Sequence, residues 1–190
     1  KKALFTAETP EHLLSDLNRK QGLVRNFLPN LLALHNARKE KPQVQLFQGI
    51  EGVKLIYQKI YEAGGVWFFG TTQEIAKLDP AWNTAFLKRM RENDIPVRDL
   101  LKKSKEDLEY ARNVERGKTY EIRFLPDGLD FPNDNAIFGD CVVFFSFHPQ
   151  VFAVLIQSKD ISKSLKTLHE LAWRASVPYE KVISKQTEAL

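Results

Sequence analysis

The residues able to do chemistry are few and scattered along the chain. The four histidines, His12, His35, His148 and His169, fall in four different segments with no His-x-x-x-His or comparable pair. The spacing that places two imidazoles on one helix face is absent, so no metal site is expected. Cys141 is the only cysteine and sits beside Val142, Val143, Phe144 and Phe145. A single thiol excludes an internal disulfide and a cysteine cage for zinc, and its neighbours suit a small buried apolar residue. No Gly-x-Ser-x-Gly elbow and no Gly-x-x-x-x-Gly-Lys loop occurs, which removes the nucleophile turn and the phosphate cradle those patterns build. No catalytic residue and no cofactor is expected.

Binding residues are easier to nominate. Phe69, Gly70, Thr71 and Thr72 lie where an apolar strand leaves its sheet, the place where open α/β sheets bind ligands. Two readings are open for the hydroxyls: they bind a polar ligand, or they satisfy backbone groups of a turn. Arg98 and Arg123 each fall inside a strand, where a guanidinium either enters a cleft and recognises an anion or lies on the sheet surface. His148, beside Pro149 in a loop between strands, is a further ligand-contact candidate. Trp173, near the end of the last helix, reads as core.

These residues depend on the elements around them. Thr9-Pro10-Glu11 starts a helix, with a capping hydroxyl, proline at the first position and an acid at the positive end. From there Leu14, Leu17, Gln21, Val24, Leu28, Leu31 and His35 recur in steps of three and four, a heptad seam. The seam predicts a stalk over residues 9–41 that pairs between two copies, with a kink or break near Asn26 to Pro29; packing on its own domain is the alternative. Gln21 in the seam favours pairing, because a buried polar group fixes register. Arg38 to Lys41 and Pro42 mark the end of the stalk.

Residues 42–177 predict one α/β domain. Strands at Gln43 to Phe47, Val66 to Phe69, Ile95 to Leu101 and Thr119 to Leu125 alternate with helices from Gly49, Pro80 and Lys105. Alternation of that kind predicts a mixed, mostly parallel sheet flanked by helices. An antiparallel meander follows at Ala136 to Phe138, Val142 to Phe147 and Phe152 to Gln157. A last helix to Ala175 is expected to lay Ile161, Leu165, Leu168, Leu171 and Ala172 on the sheet, and residues 178–190 read as a tail.

The chain carries 28 Lys and Arg against 24 Asp and Glu. Its excess lies in residues 1–41, where Lys1, Lys2, Arg19, Lys20, Arg25, Arg38, Lys39 and Lys41 face only Glu8, Glu11, Asp16 and Glu40. The α/β domain therefore has no overall attraction for a phosphate backbone, and any nucleic acid belongs near the N-terminus. No apolar run reaches the roughly 18 residues of a membrane span and no secretory signal opens the chain, so a cytoplasmic protein without membrane contact is expected. Ala3 to Thr6 is a strand-like run directly after Lys1 and Lys2; such a strand needs a partner, expected upstream in the full-length protein.

Gln43-Val-Gln-Leu-Phe-Gln-Gly-Ile-Glu-Gly-Val-Lys-Leu-Ile-Tyr57 resembles the opening of the effector domain in TrmB-like transcription regulators. Asn135-Ala-Ile-Phe-Gly-Asp-Cys-Val-Val-Phe-Phe-Ser146 and Leu165 to Ala175, with Glu170-Leu-Ala-Trp173, are similar too, so the resemblance covers nearly the whole chain. It implies a winged helix-turn-helix for DNA, a coiled coil and a phospholipase D-like domain in sequence. Residues 1–8 would then be the end of the wing and Thr9-Pro10-Glu11 the entry to the coiled coil. The implied partners are a second copy, DNA through the upstream domain, and a small effector such as a sugar or phosphate ester. Phospholipase D-type enzymes need a His-x-Lys pair, in which histidine forms the phospho-enzyme bond and lysine neutralises phosphate. Here the residues two places after the histidines are Leu14, Ala37, Gln150 and Leu171, so a sensing region without catalysis is expected. The alternatives are a degenerate or active phosphodiesterase and a domain that senses a protein partner.

Overall fold

The structure, a computed structural model, describes residues 10–36, 42–70 and 73–187. The wing remnant 1–8, the ends of the predicted stalk, Thr71, Thr72 and residues 188–190 lie outside the described residues. The chain divides into two compact units between Lys41 and Pro42.

The first unit contains α1 (Pro10–Asn36), one helix of 27 residues with Pro29 inside it. Of the kink or break expected there, a break does not occur. Proline removes one donor and costs about 3 kcal/mol, but the neighbouring leucines and alanine are strong helix formers and the helix runs through. Leu14, Leu17, Val24, Leu28 and Leu31 are all exposed, Leu14 to 64% and Leu28 to 45%.

The second unit is one eight-stranded sheet between two helical layers. Its elements are β1 (Gln43–Gln48), α2 (Gly49–Glu62), β2 (Val66–Gly70), α3 (Gln73–Leu78), α4 (Pro80–Glu92), β3 (Val97–Leu101), α5 (Lys105–Asn113), β4 (Tyr120–Phe124), β5 (Asn135–Phe138), β6 (Cys141–Ser146), β7 (Phe152–Gln157), α6 (Lys159–Ala175), β8 (Val177–Pro178) and α7 (Tyr179–Thr187). The strand order is β1-β7-β6-β5-β2-β3-β4-β8.

The fold is mixed α/β as the alternation predicts, but its sheet is mostly antiparallel. Only β2–β3 and β3–β4 pair in parallel. The meander accounts for the difference: β7, β6 and β5 insert as antiparallel strands between β1 and β2, which run the same way but never touch. β2 is central, as its apolar run indicates. Residues 178–187, expected as a tail, instead finish β8 and form α7; Tyr179 and Val182 pack on the Leu101, Ala111, Ile122 and Phe124 cluster.

Strand alternation sorts the two faces. Val66, Phe68, Val97, Ala136, Val143 and Phe145 meet Val53, Ile56, Tyr57 and Ile60 of α2 and Phe86 and Met90 of α4. Phe69, Leu100, Ile137 and Val142 meet Trp173, Ile161, Leu165 and Ala172 of α6 on the other. Leu168 and Leu171, expected on the sheet, are 59% and 60% exposed. The helix is rotated so that His169 and Trp173 fill the places expected for them.

Candidate functional site

Among the described residues, the nominated binding residues do not come together. Phe69 points to the α6 face, with its ring 5.2 Å from Phe131 and 6.0 Å from His169. Arg98 lies on the same face, held by Glu170 Oε2 at 2.8 Å, with its guanidinium 5.0 Å from the Trp67 ring and 5.3 Å from that of Trp173. Arg123 donates to Ser176 Oγ at 2.8 Å and to the Ser176 carbonyl at 2.6 Å. Both guanidiniums are thus engaged in tying β3 and β4 to α6 and the residue that follows it. His148 is elsewhere, its side chain 82% exposed and its Nε2 3.0 Å from Glu74 Oε2. Glu74 is held below the usual carboxylate range, chiefly by Lys77 and then, against some desolvation, by His148.

His169 was not singled out by the sequence and is 4% exposed. Its ring stacks 5.6 Å from Trp173 and lies 5.1 Å from Trp67. Nε2 donates to the Phe68 carbonyl at 3.2 Å, and Nδ1 has no partner. Burial depresses its pKa, so the imidazole is neutral and structural in its contacts.

The richer chemistry lies on the opposite face, at the carboxyl end of β2 and β3. Alternation in Val97-Arg-Asp-Leu-Leu101 turns Asp99 inward with Val97, where it neighbours Phe68 in the β2–β3 register. It is fully buried. Tyr120, from β4, donates its hydroxyl to Asp99 Oδ2 at 2.8 Å, and Tyr110 of α5 stands 3.1 Å from Tyr120. Asp134, in the loop entering β5, is 2% exposed and has Tyr57 Oη of α2 3.5 Å from its Oδ2. Asp107 is a third buried acid; Ser104 caps α5 through the Asp107 amide at 3.0 Å and donates to Asp107 Oδ2 at 2.6 Å.

Gly70 makes this arrangement possible. Its φ is +141°, and a Cβ there would lie 2.2 Å from the Asn133 carbonyl oxygen and 2.9 Å from Asp134 Cα. Only glycine lets the Asn133–Asp134 backbone cross the end of β2 so closely. Asn135 secures the crossing by donating to the Phe69 carbonyl at 3.0 Å and to that of Asn133 at 2.9 Å.

Electrostatics confirm how unusual the acids are. Desolvation pushes Asp99 up to about 7, against the Tyr120 hydrogen bond and with help from Asp107. Desolvation, reinforced by Asp99, also raises Asp134 well above the ordinary carboxylate range. Burial, with Asp134 next, keeps Tyr57 protonated; burial and Asp99 do the same for Tyr120. Asp99 Oδ1 and Asp134 Oδ1 have no hydrogen-bond partner. A cavity of about 20 Å³ is walled by Tyr57, Phe68, Phe86, Tyr110 and Tyr120; Tyr57 and Tyr120 among them are the partners of Asp134 and Asp99. Among the described residues no group of three or more His, Cys, Asp or Glu is placed to hold a metal ion, and no helix is long and apolar enough to cross a membrane.

Fold and site together define a mixed α/β domain with an aromatic-walled crevice beside its central strand and two buried acids behind its tyrosines. No family model and no curated protein matches the chain. Among solved structures it is similar to TrmBL2, an archaeal chromatin protein with a novel mode of DNA binding, at 17% identity and a TM-score of 0.47, over 88% of this chain and 64% of that one. It is also similar to Nuc, a phospholipase D family member from Salmonella typhimurium, at 14% identity and TM-score 0.48, and to NucT from Helicobacter pylori, at 11% and 0.48. Each of these two matches covers 73% of this chain and 99% of the other. The chain thus spans less than two thirds of TrmBL2. The expectation of a region without catalysis is corrected on this finding: a phospholipase D family member stands among the similar structures.

Proposed function

We propose that the chain is the ligand-sensing and dimerisation region of a TrmB-like transcription regulator, built on a phospholipase D-like domain and reaching DNA through an upstream segment. The observation that carries this reading is α1, a 27-residue helix whose Leu14, Leu17, Val24, Leu28 and Leu31 are exposed, before a domain with an aromatic-walled crevice. An exposed apolar stripe at heptad spacing on a helix suits burial against a partner helix. Two α1 helices brought together fix the spacing of two upstream heads. A ligand that favours one dimer geometry then changes the affinity of both heads for paired half-sites.

The sensing site in this reading is the crevice walled by Tyr57, Tyr110 and Tyr120, not the positions at Arg98, Arg123 and His148. Those three side chains already have partners and sit in separate places. Sedimentation equilibrium of the intact chain at micromolar concentration tests the reading. A dimer is expected, and a monomer would remove its basis.

A further inference from the structure

The two edges of the sheet are unlike. β8, at one end, is two residues long and contains Pro178, and shortness and proline both blunt an edge. β1, at the other, runs six residues as Gln43-Val-Gln-Leu-Phe-Gln48 with no charge and no proline. Among the described residues it pairs with β7 alone, and Val44 is 66% and Leu46 58% exposed. An edge of that length and composition is a template for another strand.

The register fixes which backbone groups β1 offers. The Gly49 amide donates to the Val151 carbonyl at 2.7 Å, in line with the pairing of Gln48 with Phe152 and Phe47 with Ala153. Bonded residues alternate in an antiparallel pair, so Phe47, Gln45 and Gln43 turn their N–H and C=O groups to β7. The next ladders agree, with Ser158 donating to Asp140 and Phe145 to Asp134. Val44 and Leu46 therefore turn both groups outward. Gln48 adds an outward N–H only, because it is the N-cap of α2 and its carbonyl accepts the first helical bond. Pro42, next in the same alternation, adds a carbonyl only.

This set is complementary to itself. Across a two-fold at Gln45, Val44 exchanges both bonds with Leu46 of a second copy, and the Gln48 amide finds the Pro42 carbonyl. No outward group is left over. The same symmetry sets exposed Val44 against exposed Leu46 on one face, an apolar cross-strand pair made twice. It also sets Gln45 against Gln45, where a charged residue would meet its own sign. We propose that β1 pairs antiparallel with β1 of a second copy about a two-fold at Gln45, joining two eight-stranded sheets into one. This rests on the dimer read from α1. Two exposed apolar side chains on each copy fall far short of the ~800 Å² per partner of a standard interface, so the edges pair only where another contact holds the copies together. A paired stalk supplies that contact and raises their local concentration to the order of millimolar.

Amide hydrogen exchange of the intact chain, at a concentration where it sediments as a dimer, tests the pairing. The Val44 and Leu46 amides are protected there, as are those of Gln45 and Phe47 that β7 already holds. In monomers, reached by dilution or by Leu17→Glu with Val24→Glu, protection at Val44 and Leu46 falls at least about tenfold while Gln45 and Phe47 keep theirs. Oxidation in a Cys141→Ala background reads the register. Gln45→Cys, with Cα atoms ~4.5 Å apart across the two-fold, forms an interchain disulfide, and Gln48→Cys, ~20 Å from its copy, does not. Val44→Lys with Leu46→Lys, both exposed on the single chain, weakens the dimer at least about tenfold with the domain still folded. Val44 and Leu46 amides that exchange freely in a dimer, or Gln45→Cys that stays reduced there, overturn the pairing and leave the stalk dimer standing. Protection that persists in monomers means the chain covers its own edge, and overturns the pairing as well. A chain that is monomeric at every concentration removes the stalk reading and this one together.

Discussion

Tyr120 donates its hydroxyl to Asp99 Oδ2 across 2.8 Å in the middle of the sheet, and Asp99 is fully buried. That hydrogen bond favours the ionised acid, while desolvation opposes it more strongly and lifts the midpoint to about 7. A carboxyl raised in the folded state binds its proton more tightly there than in the unfolded chain. Stability is then highest below the unfolded value near 3.8, and falls as pH rises towards 7. Over that window the loss is roughly 3–5 kcal/mol. Asp99→Asn removes the titration, so the variant gains on the parent between pH 5 and pH 8, and urea unfolding at the two pH values measures the gain. A constant difference between them would show that Asp99 titrates normally.

Gly70→Ala is expected to be severe. Its φ of +141° disfavours any side chain, and the new Cβ would meet the Asn133 carbonyl oxygen at 2.2 Å. Backbone, not a flexible side chain, must move, and the cost is about 3 kcal/mol or more. Chemical denaturation reads the loss, and a change below about 1 kcal/mol would mean the Asn133–Asp134 crossing is loosely held.

Much of this fold was legible from pattern alone. Asp79 caps α4 by accepting from the Trp82 amide at 3.1 Å, as the Asp-Pro start indicates, and the meander turns at Gly139, whose φ is +50°. The sheet's direction was not legible. β1-α2-β2 reads as a crossover between neighbours, and only the long-range pairing of β1 with β7 shows three strands inserted between them. The buried acids were not legible for a related reason. Asp99 sits at an inward position of an otherwise apolar strand, a signal available in Val97-Arg-Asp-Leu-Leu101, but Tyr57, Tyr120 and Asp134 join it from distant segments. For Arg98 and Arg123 the sequence left a cleft and the sheet surface open, and the structure places them against the protein's own Glu170 and Ser176.

Arg123→Ala should therefore act on stability rather than on ligand. It removes two hydrogen bonds that bind β4 to Ser176, where the chain leaves α6. The expected loss is about 1–3 kcal/mol. Arg98→Ala costs less, about 1 kcal/mol, because its ion pair with Glu170 is about one-third exposed on both sides and screened. Thermal unfolding with and without inorganic phosphate checks both. Phosphate protection of the parent that either substitution abolishes would restore these arginines as an anion site.

The last expectation concerns α1, where sequence and structure agree on spacing and the pairing is still to be measured. Leu17 and Val24 lie one heptad apart in the stripe, 61% and 60% exposed on the single chain. In a two-stranded coiled coil both become knobs in the partner's holes. Leu17→Glu with Val24→Glu then places four carboxylates along one seam, each directly against like charge and removed from water. Burial of a leucine or valine contributes roughly 1.5–3 kcal/mol, so a symmetric dimer loses at least about 6 kcal/mol from the four positions. That is a shift of more than four decades in dissociation constant. Micromolar samples of the double variant should sediment as monomers with the α/β domain still folded by near-ultraviolet circular dichroism. The paired change Asp16→Asn with Arg19→Gln, on a salt-bridged pair at 2.7 Å and outside the seam, should leave the dimer intact. If both double variants remain dimeric, the contact lies in the α/β domain, and its uncharged edge strand β1, with Val44 66% and Leu46 58% exposed, becomes the surface to disrupt next.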